Sequence, residues 1–211
     1  MDIKNIFRIG GIASIIQSAL YVALLLAIYL VPMNQITGNR EQFAISSSIN
    51  PFPLVIVSII FIILGLLGLL FVAPATMAMF RGKNTVLVSL GKCISSICLL
   101  ATTSYYVWLL TVLPNISLNT LHTPLNWIGY FTFGGMGLFV AIVGVLVWIS
   151  GIMPKGFVLV CAVKTLGFWT ILLGIILSNF TIAIIGAVVG GLVGGVTYHT
   201  WLGIALLRKS K

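Results

Sequence analysis

Six apolar stretches alternate with short polar punctuation along the chain, falling near residues 9–31, 53–79, 86–112, 125–150, 157–178 and 181–206. A helix needs about 20 apolar residues to cross a bilayer, so each stretch is long enough for one span. Pro32 closes the first, and Pro51 and Pro53 open the second, where a missing N–H is tolerated. The turn Arg81-Gly82-Lys83-Asn84, the loop from Pro114 to Pro124, the turn Met153-Pro154-Lys155-Gly156 and the pair Ser178-Asn179 separate the others. The pattern predicts an all-α polytopic membrane protein with six transmembrane helices and a single transmembrane domain over 1–211. The first apolar run follows Lys4 and Arg8 as a signal peptide would. It is longer than the about 7–15 residues of a signal-peptide core and lacks a small-residue cleavage site, so a retained helix is expected.

Within the sixth stretch Gly186, Gly190 and Gly194 recur at every fourth position. Ala187, Gly191 and Gly195 form a second row that continues to His199 and Gly203. Small residues at this spacing let helix backbones approach closely. This glycine-zipper pattern predicts that the last helix packs on protein, either another span of this chain or a second subunit. The fourth stretch has a weaker version in Gly134, Gly135, Gly137, Ala141 and Gly144, and the first offers Gly10, Ser14 and Ser18. The third stretch is the most polar, with Ser89, Lys92, Ser96, Thr103 and Tyr106 at alternating three- and four-residue steps around Leu99. Unsatisfied polar groups are costly in lipid, which predicts that this stripe faces the bundle interior.

Composition agrees with the pattern: 60% of residues are hydrophobic and 6% charged, against about 25% charged in soluble domains. That excludes a secreted domain, a disordered chain and a cytosolic enzyme. The net charge of +9 changes meaning once mapped. With the N-terminus inside, Lys4, Arg8, Arg81, Lys83, Lys155, Arg208, Lys209 and Lys211 fall on inner segments, and Arg40 alone on an outer loop. The positive-inside rule then predicts that both termini are cytoplasmic. The basic residues point to anionic lipid head groups rather than nucleic acid. Tyr29, Phe52, Trp108 and Trp127 are expected at the outer interface, and Phe80, Trp148 and Trp201 at the inner one. Cys93, Cys98 and Cys161 lie in apolar runs and read as small buried side chains. The outer loop from Pro32 to Asn50, with Arg40, Glu41 and Ser46 to Ser48, reads as a solvated connector, with a lid as the alternative. Two glycosylation sequons, Asn115-Ile-Ser117 and Asn179-Phe-Thr181, fall in predicted outer loops.

Gln17, Lys92, Lys164 and His199 each stand eight residues from the inner end of their predicted span, counted from Ile9, Asn84, Gly156 and Leu207. At 1.5 Å per residue that is roughly 12 Å into the membrane. If their faces converge, with Ser96 one turn beyond Lys92, they form a basic pocket for a lipid head group, a carboxylate or a phosphate. Ionisable residues within spans mark function; the competing reading is a lysine that snorkels to the head-group layer. Lys92 is open to both. Lys164, flanked by Val163, Leu166 and Phe168, favours snorkelling. His199 and Gln17 favour structural hydrogen bonds between helices. Arg8 to Gln17, Lys83 to Lys92 and Lys155 to Lys164 share a nine-residue interval, a hint of three repeated hairpins.

Catalytic parts are missing. The acids are Asp2 and Glu41, both outside the spans, so the intramembrane carboxylate on which proton or sodium coupling usually relies is missing; backbone carbonyls could bind sodium, but no broken-helix pair stands out. No acid pair, metal cluster or Gly-x-Ser-x-Gly elbow occurs, and His122 and His199 are expected near opposite faces. No catalytic residue, metal or cofactor is expected.

The segment Gly144-Val-Leu-Val-Trp148-Ile-Ser150-Gly151-Ile-Met-Pro154-Lys155-Gly156 resembles the turn between the fourth and fifth helices of a family of uncharacterised bacterial six-helix integral membrane proteins. The closing Trp201-Leu-Gly-Ile-Ala-Leu-Leu-Arg208, Arg81 after the second span and Lys92 in the third also fit that family. The resemblance implies six helices in a bacterial inner membrane and carries no activity. The expected function is a non-enzymatic membrane protein: an accessory or scaffolding subunit, or a binder of lipid or another hydrophobic ligand. Its expected partners are membrane lipids and a membrane protein or second copy docked on the last helix. The alternative is a small transporter or flippase for an anionic amphipathic substrate, including a substrate-capturing subunit of a larger importer.

Overall fold

The computed structural model describes residues 2–30, 52–112, 129–177 and 179–211. Among these residues every regular element is a helix, and six helices are long and apolar enough to cross a membrane. Helix α1 is Ile3–Leu30. Helix α2, residues 52–79, is continuous through Phe52–Leu67, a π-helical segment Gly68–Val72, and Ala73–Met79. Helix α3 is Thr85–Val112. Helix α4, Tyr130–Ser150, opens with π-helix over Tyr130–Gly135. Helix α5 is Gly156–Ile176. Helix α6, residues 180–209, has a π-helical middle, Ala187–Val196, between Phe180–Gly186 and Thr197–Lys209. The sequence pattern finds all six and misses the π-helix, which no periodicity announced. The Pro32–Asn50 loop, the Pro114–Pro124 loop with His122 and its sequon, and Trp127 lie outside the described residues.

The turns follow from local chemistry. Gly82 and Gly151 take positive φ, +80° and +62°, which glycine adopts without steric cost. Gly151 ends α4 as a left-handed C-cap. Asn84 accepts from the Leu87 N–H at 3.0 Å and starts α3. Asn179, read from sequence as a sequon, accepts from the Ile182 N–H at 3.2 Å and caps α6.

Glycines set the tight approaches around α6. A Cβ on Gly190 would run into backbone of Gly167 and Phe168, and one on Gly194 into backbone of Lys164. On α1, a Cβ on Gly11 would come to 3.0 Å from the carbonyl oxygen of Gly203. Ser18 Oγ donates to the Val196 carbonyl at 3.1 Å and lies 2.8 Å from Thr200 Oγ1. The last helix is therefore wedged between α5 and α1 of its own chain.

The core is thickest beside the Arg81–Asn84 and Met153–Gly156 turns, where Met77, Phe80, Phe157, Leu202 and Leu206 are fully enclosed. Phe80, expected at the interface, is fully buried in this core, one residue past the end of α2. Trp201 packs edge-on against Phe157, with ring centres 5.7 Å apart. Trp148 is exposed, with Lys155 Nζ 5.4 Å from its ring. Cys98 and Cys161 are buried, whereas Cys93 is exposed on α3. The polar stripe of α3 divides: Thr103 is buried, but Ser89, Lys92 and Ser96 are exposed. Helix α3 packs mainly on α2 and α4, so only part of its circumference meets protein.

Candidate functional site

All six helices border one internal cavity of about 220 Å³. Its walls are apolar and aromatic, including Phe61, Tyr106, Phe133, Phe139 and Phe168. All three π-helical segments among the described residues reach it, through Gly68 and Val72, Thr132 and Phe133, and Ala187 and Gly191. π-Turns in helices concentrate at functional sites. Thr102 and Thr132 are self-sufficient: Thr102 donates to the Cys98 carbonyl at 2.7 Å and lies 2.9 Å from Thr132 Oγ1.

The polar groups gather where α1, α5 and α6 meet. Lys164 is only 2% exposed, and its Nζ lies 2.7 Å from His199 Nε2. Three aromatic faces surround the amine, with ring centres at 4.2 Å for Tyr198, 5.1 Å for Tyr21 and 5.5 Å for Phe168. Such faces attract a cation. The Tyr21 ring stacks on His199 at 5.3 Å. Among the described residues, no carboxylate lines the cavity.

Hydrogen-bond accounting fixes the histidine. Ser14 has one hydroxyl hydrogen, and it goes to the His199 carbonyl at 2.8 Å. The contact of 3.3 Å between Ser14 Oγ and His199 Nδ1 therefore needs Nδ1 as the donor. That leaves Nε2 to accept from Lys164. Gln17 donates through Nε2 to the Leu64 carbonyl at 2.8 Å, which fixes the amide and leaves Oε1 an acceptor. Gln17 Oε1 and the Tyr198 hydroxyl are buried and have no hydrogen-bond partner among the described residues.

Of the residues singled out from sequence, Gln17, Lys164 and His199 meet at this cavity. Lys92 and Ser96 do not. They line a separate groove of about 600 Å³ with Arg81 and Ser89, between the end of α2 and the start of α3. Lys164, for which the sequence favoured snorkelling, is enclosed, and Lys92, open to both readings, is exposed. The reason lies on α6. Gly194 lets the Lys164 backbone press against that helix, so its side chain runs into the bundle.

The two glycine rows also separate. Gly186, Gly190 and Gly194 admit α5, whereas Gly195 makes room for a ring: a Cβ there would sit 3.1 Å from Tyr21 Cδ1. A Cβ on Gly191 would be 3.9 Å from the same atom. Tyr21 and Tyr198 escaped the sequence reading. The signal was present, since Tyr21 stands four residues after Gln17 and Tyr198 directly before His199. No family model, curated protein or solved structure matches the chain.

Proposed function

We propose that this is a non-enzymatic integral membrane protein that binds a small, mostly apolar molecule in the internal cavity, with the ligand's polar end at Lys164. The observation that carries this reading is a mostly apolar cavity bordered by Lys164 and by two residues, Gln17 and Tyr198, each of which holds a buried polar atom with no hydrogen-bond partner among the described residues. Buried polar groups are satisfied in the great majority of cases, so two that border one cavity call for an explanation, which a bound molecule would supply. The distribution of basic residues supports an orientation with both termini cytoplasmic, and the resemblance in the Gly144–Gly156 segment supports a bacterial inner membrane. Transport is the second reading. It is favoured by the three π-helical segments bordering the cavity. A protein partner or second copy would dock on a face other than Gly186, Gly190 and Gly194, because α5 occupies that row.

Native mass spectrometry of protein extracted gently from its own membrane tests the binding reading. Wild type should retain a stoichiometric small molecule, and Val140→Phe, which fills the cavity wall, should lose it. Equal retention by a folded Val140→Phe protein would place the ligand elsewhere and sink the proposal.

A further inference from the structure

Lys164, as an ammonium, carries three N–H donors. One meets His199 Nε2, and the described residues lining the cavity offer no carboxylate to the others. The rings of Tyr21, Phe168 and Tyr198 attract the charge but do not cancel it. Burying a charge without a partner is costly. An anion that enters the cavity would supply the counter-charge and stabilise the ammonium it pairs with.

The cavity narrows the choice of anion. Lys164 is the one lysine or arginine among the described residues that line it. A phosphate monoester carries about two negative charges, more than one ammonium balances; a carboxylate carries one. At about 220 Å³ the space is below the about 300–1,000 Å³ of drug-sized pockets. That suits one short chain and not a two-chain lipid. The Tyr198 hydroxyl can donate to the second carboxylate oxygen.

Gln17 adds a different demand. Its Oε1 is buried, fixed as an acceptor and unpartnered among the described residues. A carboxylate has no hydrogen to give it. A hydroxyl does.

We infer that the ligand is a short single-chain carboxylate that also carries a hydroxyl group, its carboxylate on Lys164 and Tyr198 and its hydroxyl on Gln17. This rests on the cavity being the binding site.

The test uses the full chain in nanodiscs of zwitterionic lipid, titrated calorimetrically with octanoate, octanol, octylamine and 3-hydroxyoctanoate, with empty nanodiscs subtracted. Octanoate should bind about tenfold to hundredfold tighter than octanol, the worth of a charge-assisted hydrogen bond. Octylamine should bind least. 3-Hydroxyoctanoate should gain about threefold to tenfold over octanoate from a neutral hydrogen bond. Lys164→Met should bring octanoate to the level of octanol, and Gln17→Leu should remove only the gain from the hydroxyl. Octanol matching octanoate in wild type overturns this inference and leaves the cavity reading standing. Binding of none of the four probes overturns both. The wild-type series decides the matter even if a variant fails to fold.

Discussion

Gly190→Leu is expected to leave little folded protein in the membrane. A Cβ at that position would lie 2.8 Å from the carbonyl carbon of Gly167, 2.9 Å from its Cα and 2.9 Å from the Phe168 nitrogen. All three are backbone atoms, so no rotamer change clears the way. Overpacking typically costs about 1–3 kcal/mol and occasionally more. A leucine wedged between two helix backbones belongs at or beyond the top of that range, and forcing α5 from α6 also pulls Lys164 away from His199. Size-exclusion chromatography of the fluorescently tagged protein should show aggregate in place of a single peak. Gly191→Ala is the control, because its new methyl would sit 3.9 Å from Tyr21 in ordinary contact. A normal profile for Gly190→Leu would show that α5 and α6 do not meet as described.

Removing Lys164 should stabilise the protein, and removing its histidine partner should destabilise it. Lys164 is buried without a carboxylate among the described residues lining its cavity. Replacing buried charged groups with apolar side chains of similar volume is often neutral or stabilising by about 1–4 kcal/mol. Lys164→Met should therefore raise the melting temperature. His199→Leu takes away the acceptor at 2.7 Å and strands the amine, a loss of about 3 kcal/mol or more. The combination Lys164→Met with His199→Leu should recover most of that loss, because the stranded group is then gone. The three variants form a thermodynamic cycle in thermal melts. Additive effects would mean that the two side chains do not depend on each other. Stability gained by deleting Lys164 is the pattern expected of a residue kept for binding.

How far the sequence could be read depends on which neighbour a residue meets. The six long apolar helices follow from apolar length alone, and the Gly186, Gly190 and Gly194 row announced a close helix contact that α5 supplies. Equal depth put Gln17, Lys92, Lys164 and His199 together, but depth says nothing about azimuth. Lys92 and Lys164 look alike along the chain. They differ because Lys164 stands on the side of α5 that presses against Gly194 of α6, whereas Lys92 stands on a side of α3 that the described helices leave exposed. Gly195 looked like another helix seam, yet its missing side chain accommodates the Tyr21 ring. Phe80 carried the signature of an interfacial anchor and is instead enclosed by Met77 and its neighbours. In each case the local pattern was correct about size and polarity, and the partner was set by tertiary packing.

The π-helical stretch Ala187–Val196 also bears on how this chain can change over generations. A π turn takes more residues to come round than an α turn. A single-codon deletion there would let an ordinary α turn take the place of a π turn with little change of phase downstream, so Tyr198, His199 and Gly203 would keep their faces. The same deletion in regular helix, such as the start of Thr197–Lys209, has no such slack and would rotate all that follows by about 100°, swinging Gly203 off α1. The gene's tolerance of length change in this helix is thus uneven: the π-helical stretch can give up a residue where the regular helix beside it cannot.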